Sequence, residues 1–452
     1  NDLLVGGNGA DTQRGGAGND VLIGSRGNDF VLGEAGDDLL IVNNGDGSDF
    51  LEGGEGNDTV QVNGANGAGD DFSIDPNGSR VKFKRNNLGL FTLDIGTAEN
   101  LDVNGLGGDD RITGSHGLNG LIELDMDGGE GNDLLVGGNG ADTQRGGAGN
   151  DVLIGSRGND FVLGGAGDDL LIVNNGDGSD FLEGGEGNDT VQVNGANGAG
   201  DDFSIDPNDG RVEFKRNNLG LFTLDIGTTE NLDVNGLGGN DLIIGSTGLN
   251  GLIDLDMDGG EGNDLLVGGD GADVQRGGAG NDVLIGNQGN DVGLGEAGDD
   301  LLIVNNGDGS DLLEGGGDND TVQVNGADDD RDEIEITPNG ARVQLSRINI
   351  NPFTLDIGTT ENLDVNGQGG KDKLMGSVGL DGLISLDLDG GEDKDNLSGG
   401  DGNDVLRGGA GKDRINGEDG DDFMIGGADK DICNGGNGTD TAVDCEKVSG
   451  VP

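Results

Sequence analysis

The chain has 452 residues, of which 102 are Gly and none Trp or Tyr; 31% are hydrophobic and the formal charge is −65. Such acidity repels phosphate and argues against a nucleic-acid partner, no run of about 18 apolar residues is present to span a membrane, and five prolines without a Gly-X-Y period exclude collagen. Low hydrophobicity with high charge ordinarily gives disorder, because too little apolar surface is buried to offset chain entropy, yet here the charge is evenly spaced.

Taken in chain order, NDLLVGGNGADTQRGGAGNDVLIG starts at Asn1, recurs from Asn132, and returns from Asn263 as NDLLVGGDGADVQRGGAGNDVLIG. The period is 131 residues, and a partial copy, KDNLSGGDGNDVLRGGAGKD, begins at Lys394. This predicts a first module over 1–131, with a roll at about 1–58 and a β insert at about 59–127, then modules at 132–262 and 263–393 and a C-terminal roll at 394–452. Asn1 enters in mid-repeat, since the GGEG before Asn132 has no counterpart before Asn1, so the sequence is expected to continue upstream.

Each module opens with a ladder of nonapeptides, one aspartate on a glycine-rich bend followed by a short apolar run. In the first copy the aspartates are Asp2, Asp11, Asp20, Asp29 and Asp38, then, after a longer step, Asp49 and Asp58. The second copy has Asp133, Asp142, Asp151, Asp160, Asp169, Asp180 and Asp189, and the third Asp264, Asp273, Asp282, Asp291, Asp300, Asp311 and Asp320. The C-terminal piece adds Asp395, Asp404, Asp413, Asp422, Asp431 and Asp440. Glycine allows the bends that turn carbonyls to one side, and the apolar run extends as a strand. A hard cation such as Ca²⁺ takes six to eight oxygens from carboxylates and carbonyls. One bend cannot supply them, whereas two stacked bends can, and without a cation stacked aspartates repel one another.

These residues resemble the calcium-binding nonapeptide GGxGxDxUx of the RTX (repeats-in-toxin, hemolysin-type) family, where U is a large aliphatic residue. The resemblance implies an all-β, parallel β-roll or β-solenoid with two nonapeptides per turn and Ca²⁺ between successive bends, here interrupted in each module by an inserted antiparallel β segment. It carries over the ladder aspartates as carboxylate ligands, with Asp110, Asp241 and Asp372 added to the candidates. Glycines of the bends become carbonyl donors: Gly16, Gly18, Gly147, Gly149, Gly278, Gly280, Gly409 and Gly411. Leu22, Val31 and Leu40 match the inward U position. Gln13, Gln144, Gln275 and Gly293 depart from it, which predicts poorer packing or a hydrated core at those half-turns.

The insert alternates apolar and polar residues in TVQV, FSIDPNGSRVKFKR, FTLDIG and ENLDVNG, and DPNG at Asp75–Gly78 signals a hairpin turn. Phe72, Ile74, Val81 and Phe83 are predicted to share a face, with Phe91, Leu93 and Ile95 on the next strand. Scarce basic residues gather here (Arg80, Lys82, Lys84, Arg85, Arg211, Lys215, Arg216) and read as a solvated or ion-paired face beside the acidic roll. Glu213 stands where the first copy has Lys82, which argues against a specific anion site. Asp254, Asp256, Asp258 and Gly259 spell an EF-hand opening, but the twelfth position is Leu265 and the segment alternates as a strand; the strand reading is preferred, with Asp256 or Asp258 open to a calcium site of another kind.

Catalysis has little support. His116 is the only histidine, matched by Thr247 and Val378 in the other copies, and no glycine-elbow serine appears. Cys433 and Cys445, the only cysteines, are expected to form a disulfide that pins the last coil, Cys433 sitting at a U position. Outward neighbours of the U residues, namely Leu3, Val5, Val21, Ile23, Leu39 and Ile41, form an apolar patch expected to be covered mostly by the insert, with any remainder serving association between chains. The expected function is an extracellular or cell-surface calcium-binding structural or adhesive array (spacer, filament or surface-layer component), with calcium and neighbouring copies as partners. The alternative is the calcium-binding tail of a secreted enzyme or toxin whose active domain lies upstream; the size of the module and its near-intact copying favour the array.

Overall fold

In a computed structural model, which describes residues 1–328 and 330–451, every regular element is a β-strand. Contacts divide the chain into two compact units, one of Asn1–Asn194 with Pro207–Asp233, the other of Gly195–Asp206 with Val234–Pro452.

In the first unit, alternate nonapeptides feed two parallel sheets. Leu3–Val5, Val21–Ile23, Leu39–Val42 and Thr59–Asn63 pair in that order, with Leu4, Leu22, Leu40 and Val60 in one column. Thr12–Ala17, Phe30–Ala35 and Phe50–Glu55 form the other sheet, with Gln13, Val31 and Leu51 in register. A parallel pair cannot be joined by a tight hairpin, so each connection makes a half-turn across to the opposite sheet. The second unit repeats this with Leu265–Val267, Val283–Ile285, Leu301–Val304 and Thr321–Asn325.

The period of two puts one residue per half-turn inside. Leu22 and Leu40 are fully buried and Val31 nearly so, each contributing about 1.5–3 kcal/mol by leaving water. The longer step to Asp49 is a local turn, where the Asn43 N–H donates to Asp46 Oδ2 at 2.8 Å and the Asp46 N–H to the Asn43 carbonyl at 3.0 Å.

The departures from U are met in part: the amide N–H groups of the glutamines are satisfied, while Oε1 of Gln13 and of Gln144 is buried without a hydrogen-bond partner. Gln13, Gln144 and Gln275 are all buried, and each donates Nε2–H to an isoleucine carbonyl (Ile23, Ile154, Ile285) at 3.0 Å. A Cβ on Gly293 would stand 3.2 Å from Leu313 and 3.4 Å from Leu302, whose side chains close over the gap and leave a cavity of only about 10 Å³.

The insert takes an unexpected place. Arg80–Arg85 pairs antiparallel with both Asp71–Asn77 and Phe91–Gly96. Phe91–Gly96 then pairs parallel with Phe50–Glu55, and Asp71–Asn77 parallel with Arg111–Gly114. The insert is therefore spliced edge-on into the roll's own sheet, with one antiparallel strand, Arg80–Arg85, in the run. Glu333–Asn339, Arg342–Arg347 and Phe353–Gly358 repeat the arrangement in the second unit. Ile74, Phe83 and Leu93 lie opposite one another and belong to the same core as Leu22 and Leu40.

This corrects the expectation that the insert lies across the outer patch. Leu3 and Val5 are 69% and 60% exposed, and Val21, Ile23, Leu39 and Ile41 are half-buried. Joining the sheet edge pairs the insert's backbone N–H and C=O groups, which a strand laid flat on side chains would leave unmade. The hairpin turn also shifts: Asn77 pairs with Arg80, so the bend is Gly78–Ser79, with Gly78 at φ +70°.

Candidate metal centre

Each ladder aspartate stands where a glycine bend meets the next strand. In GGAGND, Gly16 and Gly18 take φ of +101° and +113°, which a side chain would strain, and Asp20 follows, 1% exposed. Its carboxylate is half used. Oδ1 accepts the backbone N–H of the ladder aspartate one turn earlier: Asp20 N–H donates to Asp38 at 2.8 Å, Asp38 to Asp58 at 2.8 Å and, on the other edge, Asp29 to Asp49 at 2.8 Å. Oδ2 of Asp20, Asp29, Asp38 and Asp58 is buried with no hydrogen-bond partner. So are those of Asp133, Asp151, Asp160, Asp169 and Asp189, of Asp264, Asp282, Asp291, Asp300 and Asp320, and of Asp395, Asp404, Asp413, Asp422, Asp431 and Asp440. A buried, unpaired carboxylate oxygen is costly, and its recurrence on coil after coil points to a cation.

The ladder is not uniform. Asp11, Asp142 and Asp273 give Oδ2 to their own bends, accepting the N–H of Gly7, Gly138 and Gly269 at 2.8, 2.6 and 2.6 Å. Asp2 is exposed, and Asp49, Asp180 and Asp311 follow the longer bends, buried at 4%, 5% and 6% exposure. Asp110 and Asp372 join the ladder, each with an unpartnered buried Oδ2, accepting N–H from Asp70 at 2.5 Å and Asp332 at 2.7 Å. Asp241 accepts the Asp201 N–H at 2.5 Å.

On many coils a backbone carbonyl lies near the unpartnered oxygen. A Cβ built on Gly15 would stand 2.6 Å from both Asp20 Oδ2 and Gly33 O; on Gly277 it would stand 2.5 Å from Asp282 Oδ2 and 2.8 Å from Gly295 O. In these coils the nearby carbonyl belongs to the first glycine of the following coil, whereas beside Asp58, Asp189 and Asp320 it is that of Thr97, Thr228 and Thr359. Gly18 and Gly149 turn their carbonyls towards Gly36 and Gly167. Among the described residues no three Asp, Glu, His or Cys side chains form a metal-binding group. A site here has to complete its shell with bend carbonyls, an all-oxygen set that fits a hard cation such as Ca²⁺.

Burial lifts some of the ladder carboxyls well above the usual carboxylate range. Asp151 is pushed up to about 7 and Asp160 to about 8, first by loss of water and then by neighbouring ladder aspartates, against the lowering effect of the N–H each accepts.

Sequence reasoning missed a second kind of buried aspartate. Asp70 and Asp332 are 2% and 0% exposed, and their Oδ2 atoms accept the N–H of Ala65 and Ala327 at 2.7 and 2.8 Å. Oδ1 of Asp70 pairs with Arg85, and Oδ1 of Asp332 with Arg347 at 2.5 Å, each arginine itself nearly fully buried. Arg85 and Arg347 reach on to Asn44 and Asn306 Oδ1, both at 2.5 Å. The available signal was arginine at 85, 216 and 347 in all three copies while Lys82, Glu213 and Gln344 vary.

The insert's other basic residues are largely ion-paired. Arg80 bridges Glu52 and Asp94, Lys84 meets Asp75 at 3.0 Å, and Arg211 bridges Glu183 and Asp225. The EF-hand-like stretch is the strand Asp254–Glu261, with Asp256 paired to Arg276. Exposed His116 meets Asn139 Oδ1 at 2.8 Å. Cys433 and Cys445 are joined by a disulfide with Cα atoms 6.1 Å apart.

Fold and bends together define a parallel β-roll with buried, oxygen-lined turns. The family model for the RTX calcium-binding nonapeptide repeat matches residues 5–40, 43–66, 126–144, 145–177, 174–197, 257–284, 268–302, 389–424 and 408–442, about half of the chain. The chain belongs to this family, and its repeats imply Ca²⁺ binding. A search of curated proteins finds no match.

Proposed function

We propose that this chain is an extracellular calcium-binding structural repeat protein, serving as a spacer, filament or surface-layer element that Ca²⁺ folds and rigidifies. The supporting observation is the ladder of buried Oδ2 atoms without partners, many of them near a backbone carbonyl of the next coil. Asp20, Asp38, Asp58 and their counterparts in the other copies hold the ion, together with carbonyls such as those of Gly33 and Gly295. The bound ion supplies positive charge that neutralises stacked carboxylates. The chain's own part is to fix the oxygens: the ladder N–H donors orient each carboxylate, and the U residues shut water out beneath it. Binding free energy thereby becomes folding free energy.

The 131-residue module, insert included, is the unit of the array. Because the insert is spliced into the sheet, each module adds coils to a roll and no separate appendage. The apolar strip from Leu3 to Ile41 stays available for lateral association between copies. Circular dichroism tests the reading: millimolar calcium, the range of extracellular modules, should convert an expanded chain in chelator to β structure. Identical spectra in excess chelator and excess calcium would contradict it.

A further inference from the structure

The chain's basic residues are few, 24 against 89 acids, yet one group lies together and mostly unpaired in the second unit. The position just before each ladder aspartate is Asn or Asp through much of the roll, as at Asn132, Asn150 and Asp168. From residue 371 onward it is repeatedly lysine: Lys371, Lys394, Lys412 and Lys430. The strands that follow pair Lys373 with Asn396, Asn396 with Arg414, and Arg414 with Ile432. The four lysines, each two residues ahead of that register, therefore form a column with one ammonium per coil, about 4.8 Å apart. All four are exposed, and together with Arg331, Lys373 and Arg414 they line one groove of about 560 Å³.

Arg331 and Lys373 share Glu333, at 3.4 and 3.0 Å. The four lysines and Arg414 make no ion pair among the described residues. Elsewhere the same column is self-satisfied: the Asn150 N–H donates to Asn132 Oδ1 at 2.9 Å, and the Asp168 N–H to Asn150 Oδ1 at 3.0 Å. Lysine cannot accept such a bond, and like charges stacked on adjacent strands repel. The substitution thus removes a stabilising ladder and installs a repulsive one, which an external anion would relieve.

We propose that this groove binds a linear acidic polysaccharide, laid along the lysine column with one carboxylate per sugar ring, and that calcium makes the groove competent. The coupling rests on the calcium reading above. Directly behind the lysines stand the buried ladder carboxylates Asp372, Asp395 and Asp413, which line the same groove. In a folded coil without calcium their charge would offset the lysines. With calcium in the bends it is neutralised, and the column faces solvent as net positive charge. Calcium and glycan then strengthen each other's binding by the same factor. Nucleic acid fits less well, because its charges crowd at about one per 1.7 Å of duplex. No aromatic side chain lines the groove to stack a base.

The test uses the full chain in saturating calcium and a fluorescent ten-residue oligogalacturonate, followed by anisotropy. Binding that weakens with added salt and falls at least about tenfold in K394Q/K412Q, but not in the insert variant K84Q, is the expected result. Oligogalacturonate should also lower the calcium midpoint for folding in the parent chain and not in K394Q/K412Q; sequestration of calcium by the glycan alone would raise it in both. Equal binding by the lysine variant, as simple calcium bridging would give, overturns the proposal. So does tighter binding of a DNA duplex of equal charge. Absence of binding by a chain that calcium visibly folds overturns the groove and leaves the calcium reading standing, whereas a chain that calcium does not fold refutes the calcium reading itself.

Discussion

Asp58 and Asp70 are twelve residues apart, both essentially buried, and satisfied in opposite ways. Asp58, on a nonapeptide bend, leaves Oδ2 without a partner. Asp70, on the insert's bend, gives one oxygen to the Ala65 N–H and the other to the buried guanidinium of Arg85. On the calcium reading the roll draws its cation from outside, while the insert's coil carries one of its own. The family match divides the chain at similar places, since 67–125, 198–256 and 303–388 lie outside the matched stretches. A stack of coils would thus alternate rungs that need a metal with rungs that do not, the insert adding one antiparallel strand, Arg80–Arg85, to an otherwise parallel sheet.

The largest expected effect is on pH dependence without metal. Ladder carboxyls such as Asp110 and Asp151, each raised to about 7, and Asp160, raised to about 8, bind protons more tightly folded than unfolded. Their contribution to stability is full below about pH 4 and is lost as pH rises through about 6 to 8. In chelator, circular dichroism should show more β structure at pH 4 than at pH 8, and the reverse order would contradict the ladder.

Next in size is Arg347→Met, which strands Asp332 as a buried charge. Denaturant unfolding in saturating calcium should show a loss of about 3–5 kcal/mol, with D332N/R347M recovering part of it. Equal stability of parent and R347M would mean that the guanidinium is not the rung's cation.

A finer comparison lies within the ladder. Asp151 has an unpartnered Oδ2, whereas Asp142 spends its own on the Gly138 N–H. D151N should weaken a local calcium site about tenfold, roughly 1.4 kcal/mol, and D142N less, as read by calorimetric titration. Equal effects would remove the distinction.

The smallest change concerns Glu34, held at φ +82° where the second copy has Gly165 at +124°. Glu34→Gly should raise the thermal midpoint through a gain below about 1 kcal/mol, since the lost Arg14 pair is solvent-exposed.

The period of nine and the apolar residue two places after each aspartate made the roll legible, because every coil states the rule again. Leu22, Val31 and Leu40 are inside for that reason. Alternation likewise gave the insert's inward face, Phe72, Ile74, Val81 and Phe83. Where that face lies was hidden, because alternation says which side chains are buried and not which sheet edge accepts the strand. The Arg85–Asp70 pair was hidden for a related reason: it spans a hairpin, and a basic residue in an alternating strand reads as outward until the partner strand places an acid beside it. The lysine column escaped notice because each lysine, taken singly, is an ordinary change on an exposed bend.

Anomalous scattering from crystals grown in calcium tests the central claim most directly. Ions should appear in the roll bends beside Asp20, Asp38, Asp133 and Asp151, and none beside the Asp70–Arg85 and Asp332–Arg347 pairs. Empty roll bends in a folded chain, or an ion seated against either arginine, would contradict it.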